Sequence, residues 1–269
     1  LSRRLNPGSF QAANFNINAN GQFKNLWYAG GLIGYEPEGN NFYEPRIEGR
    51  VFRGWSNYFF DAWVQTNDAK KYRMYVEMLY IKRNLFSSER YEYTFENRYR
   101  FNNNLTVNAG VSLAPQNNNT GFAGFEGNDI IFGMRDIKTV ENTLSIKYSF
   151  NDKMNINTRI RHYWSKVNYQ AFFTLQLDGS LVKNTTFSED PNQNLNFFNI
   201  DMVYTWQFAP GSFINIVWKN AAFNYNQVVK EGYFKNFSNT MKEDDNNNIS
   251  FKVIYFLDYL QIKKWKKKK

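Results

Sequence analysis

Residues 140–164 read VENTLSIKYSF, NDK, MNINTRIRHYW, and the fold follows from how they alternate. Leu144, Ile146, Tyr148 and Phe150 fall at every second position, with Glu141, Thr143, Ser145, Lys147 and Ser149 between them. Asn151, Asp152 and Lys153 form a polar break. The alternation then resumes, with Ile156, Thr158 and Ile160 set against Asn157, Arg159 and Arg161. A period of two places one apolar and one polar face on a β-strand, whereas on a helix the same apolar residues would scatter round the axis. Two such runs joined by a tight polar turn predict an antiparallel hairpin. Each arm is about ten residues long, the length of a tilted strand crossing a bilayer. The fold class expected is all-β, an antiparallel transmembrane β-barrel of the outer membrane, with this hairpin as one unit of its wall.

Composition agrees with a one-sided wall. The 269 residues are 42% hydrophobic and include 7 Trp, 18 Tyr and 26 Phe, yet mean hydropathy is −0.63. Many aromatics at low mean hydropathy suit a sheet that is apolar on one side only. There is no cysteine and one histidine, His162, which excludes thiol nucleophiles, disulfides and Cys/His zinc sites. Formal charge is +9, but six lysines, Lys263, Lys264 and Lys266 to Lys269, sit at the C-terminus; without them it is +3. A nucleic-acid surface would gather its basic residues on a folded face, so no nucleic-acid partner is expected. No apolar run reaches the length of a transmembrane helix. Neither a signal peptide nor a starting Met is present, so upstream sequence, export signal included, is expected to precede this chain.

The same alternation marks strands elsewhere. Phe15, Ile17 and Ala19 alternate with Asn16, Asn18 and Asn20, and Leu26 to Tyr35 forms a glycine-rich second strand. Ile47 to Phe52 is a weaker third candidate. Strands are expected at Tyr58 to Gln65, from Tyr72 to Tyr80, and from Tyr91 to Phe101, returning through Leu105 to Leu113. Three long loops are expected, at about 115–136, 165–194 and 224–247, because these stretches are rich in turn-forming Asn and Gly. Within the second, Asp178-Gly179 predicts the tip of a small hairpin. Further strands cover Phe198 to Trp206, Ile214 to Trp218 and Ile249 to Leu257, for roughly twelve to fourteen strands in all at this strand length. Near the C-terminus short and long connections alternate, which places the C-terminus in the periplasm. The barrel region is expected to span 1–262, followed by a basic tail at 263–269.

The runs EPRIEGRVF, IIFGMRDIKTVENTLSIKYSF, TRIRHYWSKVNY, FTLQLDGSL, NIDMVYTWQFAPGS and NISFKVIYFLDYL resemble the C-terminal barrel domain, of unknown function, of a family of Bacteroidota outer-membrane proteins. The resemblance extends from about Phe42 onward. It implies a membrane barrel behind an N-terminal module similar to a family-nine carbohydrate-binding module; that module and the early barrel strands are expected to lie outside these residues. It implies no catalytic residue.

Glu92, Glu96, Arg98, Arg100, Lys147, Arg159 and Arg161 are expected to face the barrel lumen as paired, hydrated charges. Glu92 and Glu96 lie two pleats apart among arginines, a poor arrangement for acid–base catalysis. Tyr163, Trp164, Trp206 and Trp218 are expected in the aromatic girdle at the membrane interface, with His162 beside them. Lys263, Lys264, Lys266 and Lys267 form a basic periplasmic tail suited to anionic headgroups. No metal and no cofactor is expected. The expected function is a non-enzymatic channel or membrane anchor, glycan-related through the upstream module. The alternative is a structural subunit or docking platform of a larger outer-membrane complex. Expected partners are outer-membrane lipid and other outer-membrane or periplasmic proteins.

Overall fold

The computed structural model describes residues 2–3 and 8–259; the basic tail and the 262/263 boundary lie outside the described residues. Strands β1 (Ser2–Arg3) and β2 (Phe10–Ala12) form a small ladder of their own. The main sheet begins with β3 (Phe15–Gln22) and β4 (Tyr28–Glu36). A second small ladder, β5 (Asn40–Asn41) with β6 (Phe52–Arg53), stands between β4 and β7. The main sheet then continues with β7 (Asn57–Gln65), β8 (Tyr72–Arg83), β9 (Glu89–Arg100), β10 (Leu105–Glu126), β11 (Asp129–Asn151) and β12 (Met154–Leu175). The remaining strands are β13 (Leu181–Asn184), β14 (Gln193–Ala209), β15 (Ser212–Asn226) and β16 (Asp245–Ile254), with helix α1 (Tyr233–Thr240) before the last.

Twelve strands make one antiparallel sheet. Eleven succeed one another from β3 to β16 in chain order, and β13 flanks the far end of β12. Residues 23–27, 66–71, 101–104, 152–153 and 210–211 turn the chain at one end, and the long connections 37–56, 176–192 and 227–244 lie at the other. That end also carries the short connections 84–88 and 127–128, so among the described connections of the N-terminal half only 37–56 is long, and the contrast between the two ends is sharpest near the C-terminus. Edge strands β3 and β16 both run toward the short-turn end, and each is paired on one side, so the described sheet is open.

Register aligns the alternation of each strand with that of its neighbours. Leu144 lies opposite Ala109 and Ile160, and Ile160 opposite Ile200; one pleat away, Thr143 lies opposite Gly110 and Arg161. One face of the whole sheet is therefore apolar and the other charged. Large residues on the apolar face stay exposed, Ile17 at 78%, Ile33 at 62% and Phe251 at 64%.

Four expectations are corrected. The 115–136 loop is the far half of the β10–β11 hairpin, which turns at 127–128. Its polar residues are absorbed by a bulge: the pairing skips from Gln116 to Asn119, Asn118 takes a positive φ of 51°, and its N–H is capped by Asp136 Oδ1 at 2.9 Å. The 165–194 excursion is shorter, because β12 runs on to Leu175 before the Asp178-Gly179 tip. There Gly179 adopts φ +86°, and Asp178 accepts from the Ser180 N–H and O–H, which holds its carboxyl below the usual range. The 224–247 loop contains α1. Ile47 to Phe52 is no sheet strand; it belongs to the connection carrying the β5–β6 ladder. Phe52 leaves that connection to join Ile130, Phe132 and Leu175 in a buried apolar core. The connection is tied down by Arg50, which donates to the Leu175 and Gln176 carbonyls at 2.9 and 3.1 Å. Glu44 adds a further tie by accepting the Phe122 N–H at 2.8 Å.

Glycines in β4 make room for aromatic rings. Gly34 lies opposite Phe59 and Gly30 opposite Trp63, and a Cβ at Gly34 would overlap the Phe59 ring. Gly34→Ala is expected to destabilise the fold by about 1–3 kcal/mol through overpacking. Gly21→Ala, where nothing lies within 4 Å of the new carbon, should leave the urea unfolding midpoint nearly unchanged. Equal midpoints for the two variants would refute this account of β4.

Candidate functional site on the charged face

The charged face is built from alternate residues of β7 to β15, so its chemistry is set by the rows in which they meet. Toward the short turns, Arg98 pairs with Asp68 at 3.0 Å, and Arg98 and Arg100 each donate to the Asp68 carbonyl at 2.5 Å. One row further, Arg73 and Glu96 meet at 3.1 Å. Arg161 grips Glu141 with two bonds of 2.8 and 3.0 Å, and Glu92 takes Arg90 at 2.6 Å. Lys219 and Asp201 stand 3.7 Å apart. These side chains are partly exposed, so each pair contributes about 0–1 kcal/mol. Their main effect is to keep this face hydrated and nearly balanced in charge.

Some charges of this face stand outside these pairs: the cations Arg100, Arg159 and Lys147 and the carboxylates Asp61 and Glu77 belong to no ion pair among the described residues. Arg159 lies opposite Ser145 and Asp201, but Asp201 is engaged by Lys219; Lys147 lies opposite Thr106 and Asn157. Arg159 lines a recess of about 310 Å³ with Arg73, Glu96, Asn108, Thr143 and Ser145. Gly110 opens it, since a Cβ there would stand 2.9 Å from Thr143 Oγ1. Two guanidinium groups, one paired carboxylate, two hydroxyls and an amide can hold a small polar solute.

The sequence-predicted charges Glu92, Glu96, Arg98, Arg100, Lys147, Arg159 and Arg161 all share this face. The predicted aromatic set divides. Trp206 and Trp218 lie on the apolar face, Trp206 at the short-turn end and 36% exposed. Tyr163 is on the charged face, beneath the Arg161 guanidinium at 5.7 Å. Trp164 is 2% exposed, on the apolar face and covered by α1, with Nε1–H donating to Asn194 Oδ1 at 2.8 Å. His162 is buried beside it, with Nδ1 2.8 Å from the Tyr233 hydroxyl. A common girdle for His162, Tyr163 and Trp164 is thus corrected, because successive residues of a strand take opposite faces. The sequence reading missed α1 altogether, although Tyr233, Asn236, Phe237 and Thr240 keep the i, i+3, i+4, i+7 spacing of a helix face.

A family model described as a domain of unknown function (DUF5916) matches residues 1–266. Among solved structures, the chain is similar to one described as copper transporter OprC, at 9% identity and a TM-score of 0.52. The match covers 91% of this chain and 42% of that one; the chain therefore spans less than half of its structural neighbour, and at this identity the likeness shows the fold alone. No curated protein sequence matches.

Proposed function

The chain belongs to the DUF5916 family of domains of unknown function, and we propose that it forms wall of an outer-membrane β-barrel acting as a non-enzymatic channel for small polar solutes. The observation that carries this reading is the two-faced sheet, with large apolar side chains exposed along one face and ion pairs, unpaired charges and a recess along the other. Exposed Ile, Phe and Tyr over a face this wide are unfavourable in water and favourable in lipid. Likeness to an outer-membrane transporter supports the architecture and carries no cargo with it. In this reading the short turns are periplasmic, and β16 delivers the chain to that side.

Open strand edges are not viable in lipid. The eleven successive strands leave parallel edges, so an all-antiparallel closure takes an odd number of further strands. The test is the intact protein extracted from outer membranes, compared heated and unheated on a gel, then added to planar bilayers. A heat-dependent shift of a single band together with discrete conductance steps is expected. A protein recovered in the soluble fraction without a shift would overturn the barrel. A shifting band that conducts nothing would overturn the channel and leave an anchor.

A further inference from the structure

Helix α1 lies on the apolar face of the sheet. The Tyr233 hydroxyl meets Asn142 Nδ2 and His162 Nδ1, each at 2.8 Å. The Phe237 ring packs edge-on against His162 and Phe198 at 4.9 and 6.0 Å. Asn236 Oδ1 accepts from Asn194 at 2.5 Å and Asn196 at 3.4 Å. Asn142, His162, Phe198 and Asn196 continue the rows of Leu144, Ile160 and Ile200. The helix therefore covers the rows where the apolar face turns polar. Its outward residues are Phe234, 83% exposed, with Lys235, Ser238 and, just beyond the helix, Met241.

Height along the sheet locates these rows. The ten-residue step from Phe150 to Val140 is about 33 Å along a strand, or about 25 Å of membrane normal at a tilt of about 40°, the height of the apolar band of such barrels. Val140 and Trp164 then close the band, and the next row, Lys138 opposite Lys166, stands at headgroup level. Like charges directly opposite one another are destabilising. Here both ammonium groups sit over the Trp164 ring, at 5.9 and 5.7 Å. Lys166 also donates to the Val229 carbonyl at 3.1 Å. Neither lysine belongs to an ion pair among the described residues. The nearest carboxylate on that face of β11, Asp136, is taken by the Asn118 N–H and the Gln170 amide.

We propose that Lys138, Lys166 and helix α1 form a docking surface for a phosphate-bearing lipid headgroup of the outer leaflet. The two ammonium groups offset their mutual repulsion on the phosphate, while Phe234 and Met241 enter the acyl region beside it. The inference rests on the barrel reading, so its test separates the two. The chain has no cysteine, so single spin labels can be placed at Phe234→Cys, Ile146→Cys and Asp178→Cys in the full-length protein. The protein is reconstituted in phosphatidylcholine vesicles with and without phosphatidylglycerol. Labels at 146 and 234 are expected to be reached by oxygen and shielded from a water-soluble nickel chelate, with the reverse at 178. A nickel-accessible 234 beside a shielded 146 would overturn this inference alone; a nickel-accessible 146 would overturn the barrel. In native mass spectrometry, Lys138→Gln with Lys166→Gln is expected to lower retained phosphatidylglycerol by about fivefold per lysine, some 25-fold together, with phosphatidylcholine unchanged. Unchanged retention in a variant that keeps the wild-type gel shift would overturn the lysine site. Displacement of the lipid by inorganic phosphate would overturn the lipid as its occupant.

Discussion

Replacing Trp164 with alanine is expected to destabilise the folded protein by about 3–5 kcal/mol, the usual cost of deleting a buried Trp, and to release α1 from the sheet. The indole is 2% exposed, meets Tyr233 edge-on at 5.8 Å, and lies beneath two lysine ammonium groups. Its N–H donates to Asn194, a residue with no exposed surface that also binds Asn226, the Val228 carbonyl and Asn236. Deleting the indole opens a cavity and strips that buried amide oxygen of its closest donor, two costs that add. Trp164→Phe keeps most of the volume but not the N–H, and should cost about 1–3 kcal/mol. Trp206→Ala, at an exposed site, should shift the midpoint less than Trp164→Ala. Urea unfolding in lipid vesicles measures all three, and limited proteolysis within 227–244 reports the freed helix. Equal midpoints for Trp164→Ala and Trp206→Ala, with 227–244 still protected, would mean that the indole does not hold α1.

How far the sequence reveals this arrangement depends on the range of the interaction. Strand faces were legible because a period of two is a local property: Leu144, Ile146 and Tyr148 alternate with Thr143, Ser145 and Lys147 whatever their neighbours do. The charged set followed from the same rule. The same rule, applied strictly, would have separated Tyr163 from His162 and Trp164; grouping three adjacent aromatic rings at a strand end was an error of parity. The far half of β10 was hidden for a different reason. Asn117, Asn118, Gly121 and Gly124 carry turn propensity, yet they lie in a strand: Asn117 pairs with Glu89 of β9, Gly121 and Gly124 pair with Gly133 and Ile131 of β11, and Asn118 sits in the bulge. Tertiary context overrode local preference, with a bulge at Asn118 taking up the mismatch. Helix α1 is eight residues long, with neither a side-chain cap at its start nor an acidic first turn. Helices this short are marginal alone and form on tertiary contacts, here the Tyr233, Asn236 and Phe237 contacts with β11, β12 and β14.

Reversing the charge of Arg159 and Lys147 together, Arg159→Glu with Lys147→Glu, is expected to shift ion selectivity severalfold toward cations at low salt. Arg73, Arg98, Arg161 and Lys219 each have a carboxylate within 4 Å, and their fields largely cancel at a distance. Arg159 and Lys147, like Arg100 in the row of Lys147, have no such partner among the described residues, so in the proposed channel they supply positive potential to this stretch of the face, and the wild-type protein should favour anions there. The double variant changes the lining by four charges while preserving strand pairing. Screening fixes the conditions: the Debye length is about 30 Å at 0.01 M salt and about 3 Å at 1 M. Reversal potentials across asymmetric salt should therefore separate variant from wild type at low ionic strength and converge at high. Glu96→Gln supplies the opposite sign, because it frees Arg73 from its carboxylate and should move selectivity toward anions. If neither substitution moves the reversal potential at low salt in a protein that still conducts, the charged face does not line the conducting path, and the recess at Gly110 would have to be read as a static pocket within the wall.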